Sequence, residues 1–202
     1  MKLTKDLIEL IIEFSNITDA VNLKRALPKK SGISLYEISA KYIHPNKLLN
    51  LSDATLKEAL NSNKHLQNLE LKYCQNITDS FLSTIPNHVS SLKYLNLSRL
   101  THNTWHVTNN VLMSICKIKL KELCIYNCTK ITNAGLQYLA EIKSLEKIDL
   151  SRPHETVPYQ ITAANIAQLL ANNPNIKHAR IPYKPYRLEQ PADFEKFIKD
   201  NI

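Results

Sequence analysis

Apolar residues along this chain follow two alternating rhythms. The first is an L-x-x-L-x-L run, clearest at Leu66/Leu69/Leu71, Leu92/Leu95/Leu97, Leu120/Leu123/Ile125 and Leu145/Ile148/Leu150. Leu35/Ile38/Ala40 and Ile176/Ala179/Ile181 repeat it with smaller side chains. Every second residue of its latter half is apolar, which predicts a short strand with one buried face. The second rhythm has helical spacing: Leu56/Leu60, Leu82/Ile85, Leu112/Ile115, Leu136/Leu139 and Ile166/Leu169. Between the two stands an apolar residue followed by Ser or Thr and a short side chain: Leu51-Ser52-Asp53, Ile77-Thr78-Asp79, Val107-Thr108-Asn109, Ile131-Thr132-Asn133 and Ile161-Thr162-Ala163. Those hydroxyls sit where a helix N-cap accepts from the free N–H groups of the first turn.

The unit is therefore strand, loop, helix. Strand starts at Leu35, Leu66, Leu92, Leu120, Leu145 and Ile176 give spacings of 31, 26, 28, 25 and 31 residues. No unit of that size buries its own apolar face, so neighbours must stack to form a continuous core. A repeat of this length and pattern predicts an α/β leucine-rich repeat solenoid, a horseshoe of strand-loop-helix units with helical caps at both ends. The expected divisions are a helical segment at 1–30, repeats at 31–182 and a C-terminal cap at 183–202. In that last part Pro191 opens a helix that turns Phe194, Phe197 and Ile198 toward the final repeat.

Two units match a narrower pattern, C-x-x-I-T-D/N, at Cys74–Asp79 and Cys128–Asn133. This resembles the cysteine-containing leucine-rich repeats common in the substrate-binding halves of F-box/LRR proteins. At the other end, Leu3-Thr4-Lys5-Asp6-Leu7-Ile8-Glu9-Leu10-Ile11-Ile12 resembles the F-box opening L-P-x-E-L-L-x-x-I-F, with Thr4 in place of Pro and Ile12 where an aromatic residue is common. The resemblance implies that Leu3, Leu7, Ile8, Ile11 and Ile12 dock on a Skp-type adaptor of a cullin–RING ubiquitin ligase. A two-helix cap over residues 3–27 is the other reading of the same apolar stripe. Such a compact arrangement also resembles effectors that intracellular bacteria deliver into eukaryotic hosts, which would place it in host cytosol.

Strand residues between the leucines form three outward rows. They run Glu37, Asn68, Tyr94, Glu122, Lys147, His178; then Ser39, Glu70, Asn96, Cys124, Asp149, Arg180; then Lys41, Lys72, Ser98, Tyr126, Ser151. Glu70, Tyr94, Asn96, Glu122, Tyr126, Lys147, Asp149 and Arg180 are the candidate partner-binding residues on that face. Long loops at 42–50, 99–106 and 152–160 add Arg99, Trp105, Arg152 and Tyr159, residue types that anchor protein interfaces. The expected partner is a protein target, on the rows or on the loop edge.

Composition narrows the alternatives. The net charge is +8, but Lys and Arg are scattered and acidic residues interrupt the rows, which disfavours nucleic acid. Two glycines leave no phosphate-cradling loop. No apolar run approaches the ~20 residues of a membrane span, and Glu9 and Glu13 break up the opening stretch where a signal peptide would be apolar. Four cysteines in 202 residues make no disulfide framework, so a reducing, cytoplasmic compartment is expected. His102 with His106, and Cys124 with Cys128, are spaced four apart without the further ligands a structural zinc needs. The expectation is a monomeric, non-enzymatic interaction protein without cofactor or metal.

Overall fold

The structure, a computed structural model, describes residues 37–39, 51–62, 64–72, 74, 76–100, 107–152, 160–183 and 186–202. The F-box-like segment with Leu3, Leu7, Ile8, Ile11 and Ile12, and the loop residues Trp105 and Tyr159, lie outside them. Six short strands, β1 (Glu37–Ser39), β2 (Asn68–Glu70), β3 (Tyr94–Asn96), β4 (Glu122–Cys124), β5 (Lys147–Asp149) and β6 (His178–Arg180), each pair in parallel with the next. β7 (Arg187–Leu188) joins β6 antiparallel, so the sheet order follows the chain order. The central residues Leu69, Leu95, Leu123, Ile148 and Ala179 are buried, and their flanking neighbours point the other way.

Helices return the chain from each strand to the next: α1 (Asp53–Ser62), α2 (Asp79–Leu82), α3 (Ile85–His88), α4 (Asn109–Ile115), α5 (Asn133–Leu139) and α6 (Ala163–Asn172). α7 (Pro191–Asn201) follows β7 and packs on α6. The expected helical pairs, from Leu56/Leu60 to Ile166/Leu169, are all buried. One helix is broken in two. Pro86 has no N–H to return to Leu82, and the Ser83 and Thr84 hydroxyls bond back to the Asp79 and Phe81 carbonyls at 3.0 and 2.7 Å.

The Thr caps do more than start their own helices. Asp53 opens α1, and its carboxylate accepts from both the N–H and the hydroxyl of Thr78 one repeat later, at 2.9 and 2.6 Å. Asp79 holds Thr108 in the same way at 2.8 and 2.9 Å. Asn109 accepts from the Thr132 N–H at 3.1 Å, and Asn133 accepts from the Thr162 N–H at 2.9 Å. The side chain that opens one helix thus fixes the residue that caps the next.

The clamp explains one departure from the expected capping. Thr78, Thr108 and Thr162 each accept from a first-turn N–H, at 3.0, 3.2 and 3.3 Å. Thr132 has no such bond, because its hydroxyl accepts instead from the Asn109 amide at 2.8 Å. A carboxylate can only accept, so Asp53 and Asp79 leave the Thr oxygen free to cap; the Asn109 amide donates to the Thr132 oxygen, whereas Asn133 only accepts from Thr162, whose oxygen still caps α6. The clamp ends at Ala163, which has no side-chain oxygen. The helix after the last parallel strand starts by its own means: Gln190 and Asp193 form a reciprocal capping box around Pro191.

Replacing Asp79 by Ala should cost about 2 kcal/mol in urea unfolding, as two bonds to a charged acceptor are lost, while Asp79→Asn should retain most of the stability. Gly135→Ala is the more counterintuitive change. A methyl group there would meet Leu112 and Ile131 at 3.0 and 3.1 Å and press on the Asn109 oxygen that holds Thr132. Overpacking of about 1–3 kcal/mol should outweigh the helix-propensity gain, lowering the thermal midpoint.

Candidate protein-binding face

Parallel pairing without slippage puts the outward residues into true rows. Asn68, Tyr94, Glu122, Lys147 and His178 are successive partners across the sheet, as are Glu70, Asn96, Cys124, Asp149 and Arg180. Six of the expected residues, Glu70, Tyr94, Glu122, Tyr126, Asp149 and Lys147, stand half-buried or exposed on this side, and Arg180 is exposed at its far end. Cross-strand neighbours meet as ion pairs: Glu122 with Lys147 at 3.4 Å, Asp149 with Arg180 at 3.6 Å. Such exposed pairs contribute little stability, but they orient the chains that a partner would touch.

Asn96 is in the row but is not available as a free contact. It is buried, and its oxygen accepts from the Ser98 N–H at 2.9 Å and from the Ser98 hydroxyl. Its amide donates to the Tyr94 hydroxyl at 3.1 Å, so its role is to fix the Tyr94 ring. Asp149 repeats the turn, accepting from the Ser151 N–H and hydroxyl at 3.0 and 2.5 Å. That is the structural content of the recurring Leu-Ser-Arg: a side chain in the second row ties down the serine, and the arginine departs from there.

The two arginines diverge. Arg99 lies 5.1 Å from the Tyr126 ring centroid and is exposed, which joins it to the strand face. It adopts φ 55°, in the left-handed region, and Asn127 follows at φ 61°. Arg152 is half-buried and reaches the Cys128 carbonyl at 3.5 Å, so it braces the turn of the preceding repeat. A depression of about 340 Å³ lies over β3 to β6, edged by Tyr94, Cys124, Lys147, His178 and Arg180. Arg187 lies outside the rows legible in the sequence, because only β7 brings it opposite Arg180. A two-residue strand between prolines leaves no periodic signal.

The thiols are free. Cys124 donates to or accepts from the Ser98 hydroxyl at 2.9 Å, and burial raises its pKa. Burial, aided by Glu70, pushes the Cys74 thiol up to about 12, and burial drives Cys128 further in the same direction. Such thiols are inert at neutral pH. No group of His, Cys, Asp and Glu suited to a metal occurs among the described residues. No described helix is long and apolar enough to cross a membrane.

Parallel strands in repeat register, helices behind them and L-x-x-L-x-L cores define a leucine-rich repeat protein. A family model for Zer-1-like leucine-rich repeats matches residues 83–184, just over half of the chain, and the chain belongs to that family. No curated protein matches it.

The buried thiols give a pH prediction. A thiol whose folded pKa lies above its unfolded value of about 8.5 stabilises the fold below that value, and the contribution is lost as pH rises toward the folded pKa. The urea midpoint should therefore fall from about pH 9 upward. The fall should be shallower in a Cys74→Ala, Cys128→Ala variant. In thiol titration at neutral pH, Cys74 and Cys128 should react only after denaturation.

Proposed function

We propose that this chain is a non-catalytic protein-interaction adaptor whose outward strand rows hold a protein or peptide target. The observation that supports it most is the order of that face: half-buried Tyr94 is held by Asn96, Tyr126 is stacked with Arg99, and the charged residues are cross-paired in register. Side chains already ordered lose less entropy on binding. The mixed sign of the rows suits a protein partner better than a phosphate backbone. In this reading the strands curve as a horseshoe, with α7 and residues 3–27 shielding its ends, and the chain acts as a monomer in a reducing cytoplasm.

The finer part of the proposal couples this face to ubiquitin transfer. The F-box-like spacing of Leu3, Leu7, Ile8, Ile11 and Ile12 supports a dock for a Skp-type adaptor of a cullin–RING ligase. The protein would then supply proximity, converting ubiquitin transfer to the bound target into a pre-oriented event. Delivery of such an adaptor into host cytosol by a bacterium fits the same resemblance. An interaction scaffold with no ligase coupling is the second reading, favoured by the same stripe serving as a cap.

Two experiments separate these. Peptide-library selection on the wild-type protein should enrich ligands whose affinity falls at least about tenfold with Tyr94→Ala, as expected of an anchor residue. Ligands indifferent to Tyr94 and Glu122 would refute the face assignment. Size-exclusion co-elution with a eukaryotic Skp-type adaptor should give a complex lost in Leu7→Asp. Its absence, with a folded circular-dichroism spectrum, would leave the scaffold reading.

A further inference from the structure

We propose that the β5–β7 end of the strand face is a dock for an acidic segment of a protein partner, gripped between Arg180 and Arg187. This deepens the reading of the face as a protein-binding surface and rests on it. The antiparallel pairing of β6 with β7 places Arg187 directly opposite Arg180, while Leu188 lies opposite Ala179 and is buried with it. Residues directly opposite in an antiparallel pair share a face, so both guanidinium groups lie on the outward side.

Like charges directly opposite each other destabilise a sheet. Here nothing within the described residues fully offsets them. Arg180 meets Asp149 only at a long 3.6 Å and keeps more than half of its side chain exposed. No carboxylate among the described residues lies within ion-pair distance of the exposed Arg187. His178 and Lys147 add donors beside Arg180 at the edge of the depression.

The backbone is bent to present this pair. Tyr186 takes φ 52° although it is not glycine, its N–H bonding to the Tyr183 carbonyl at 2.6 Å in a tight turn. The Tyr183 hydroxyl in turn anchors to the Ile161 carbonyl at 2.6 Å. A non-glycine residue in the left-handed region is held there by the surrounding structure. The turn leaves an exposed Tyr186 next to Arg187, the pairing of residue types that anchors protein interfaces. Guanidinium forks match carboxylates in bidentate geometry, so two of them facing one another suit a Glu or Asp side chain or a chain-terminal carboxylate. Asp149, Glu122 and Glu189, set among these cations, repel a continuous phosphate backbone while tolerating a single inserted carboxylate.

The test uses fluorescence anisotropy at low salt with the full chain. The probes are a labelled peptide of alternating Glu and Gly, the same peptide with Gln for Glu, and a labelled oligodeoxythymidine. The acidic peptide should bind, the Gln peptide should not, and Arg187→Gln and Arg180→Gln should each weaken binding at least about tenfold. Lys57→Gln, on the exposed side of α1, should leave it unchanged. Arg187→Gln should melt no lower than the wild type, since it relieves a like-charge pair, which separates lost binding from lost fold. Wild-type affinity in either arginine variant, or no acidic-peptide binding, overturns the proposal. Tighter binding of the oligodeoxythymidine overturns it in favour of a phosphate site. Should library-selected ligands need Tyr94 yet be neutral and indifferent to Arg187→Gln, this inference fails while the binding face stands. Should no ligand need Tyr94, the face itself fails.

Discussion

The contact on which the rest of this architecture depends is the clamp between an Asp or Asn at the start of one helix and the Thr that caps the next. Hydrophobic burial drives the repeats together but is non-directional, and leucine cores alone tolerate sliding. The clamp is directional. It joins Asp53 to Thr78, Asp79 to Thr108, Asn109 to Thr132 and Asn133 to Thr162, one link for each of the first four steps of the stack. Because each acceptor takes a backbone N–H, it fixes the start of the next helix. The in-register rows on the outward face are a downstream result of polar bonds made on the other side of the repeat.

That dependence also shapes how the face presents itself. Asn96 and Asp149 occupy row positions but turn part of their hydrogen-bonding capacity inward, onto Ser98 and Ser151. Residues that support and residues that reach outward thus stand side by side on the face. Tyr94 and Tyr126 belong to the second kind, each held by a neighbour rather than by the core. The even spacing of the outward rows follows from the spacing of the repeats, and the clamp supplies that.

Much of this was readable from the residues alone. A period-two apolar pattern with a constant offset determines which side chains share a face, and Tyr94, Glu122 and Lys147 fell into their row without knowledge of the loops. The Thr positions read correctly as caps, yet the following Asp or Asn read only as a short side chain. Its partner lies 23 to 29 residues onward, and local spacing carries no sign of so distant a bond. The recurrence of Asp53, Asp79, Asn109 and Asn133 was the available signal. Breaks were harder. The division between α2 and α3 comes from Pro86 together with two hydroxyls bonding backward, and β7 depends on a left-handed Tyr186 that no pattern announces.

Ala163 has a consequence for how such a chain can change length over evolutionary time. Within 78–133, duplicating one unit would create a new acceptor together with a new cap, so the array can lengthen there by gene-level copying without new chemistry. After Ala163 no acceptor is presented, and α7 begins from its own Gln190–Asp193 box instead. One missing oxygen therefore acts as a terminator for growth at that end. Variation in repeat number among descendants of this sequence should accumulate among the units that the clamp joins.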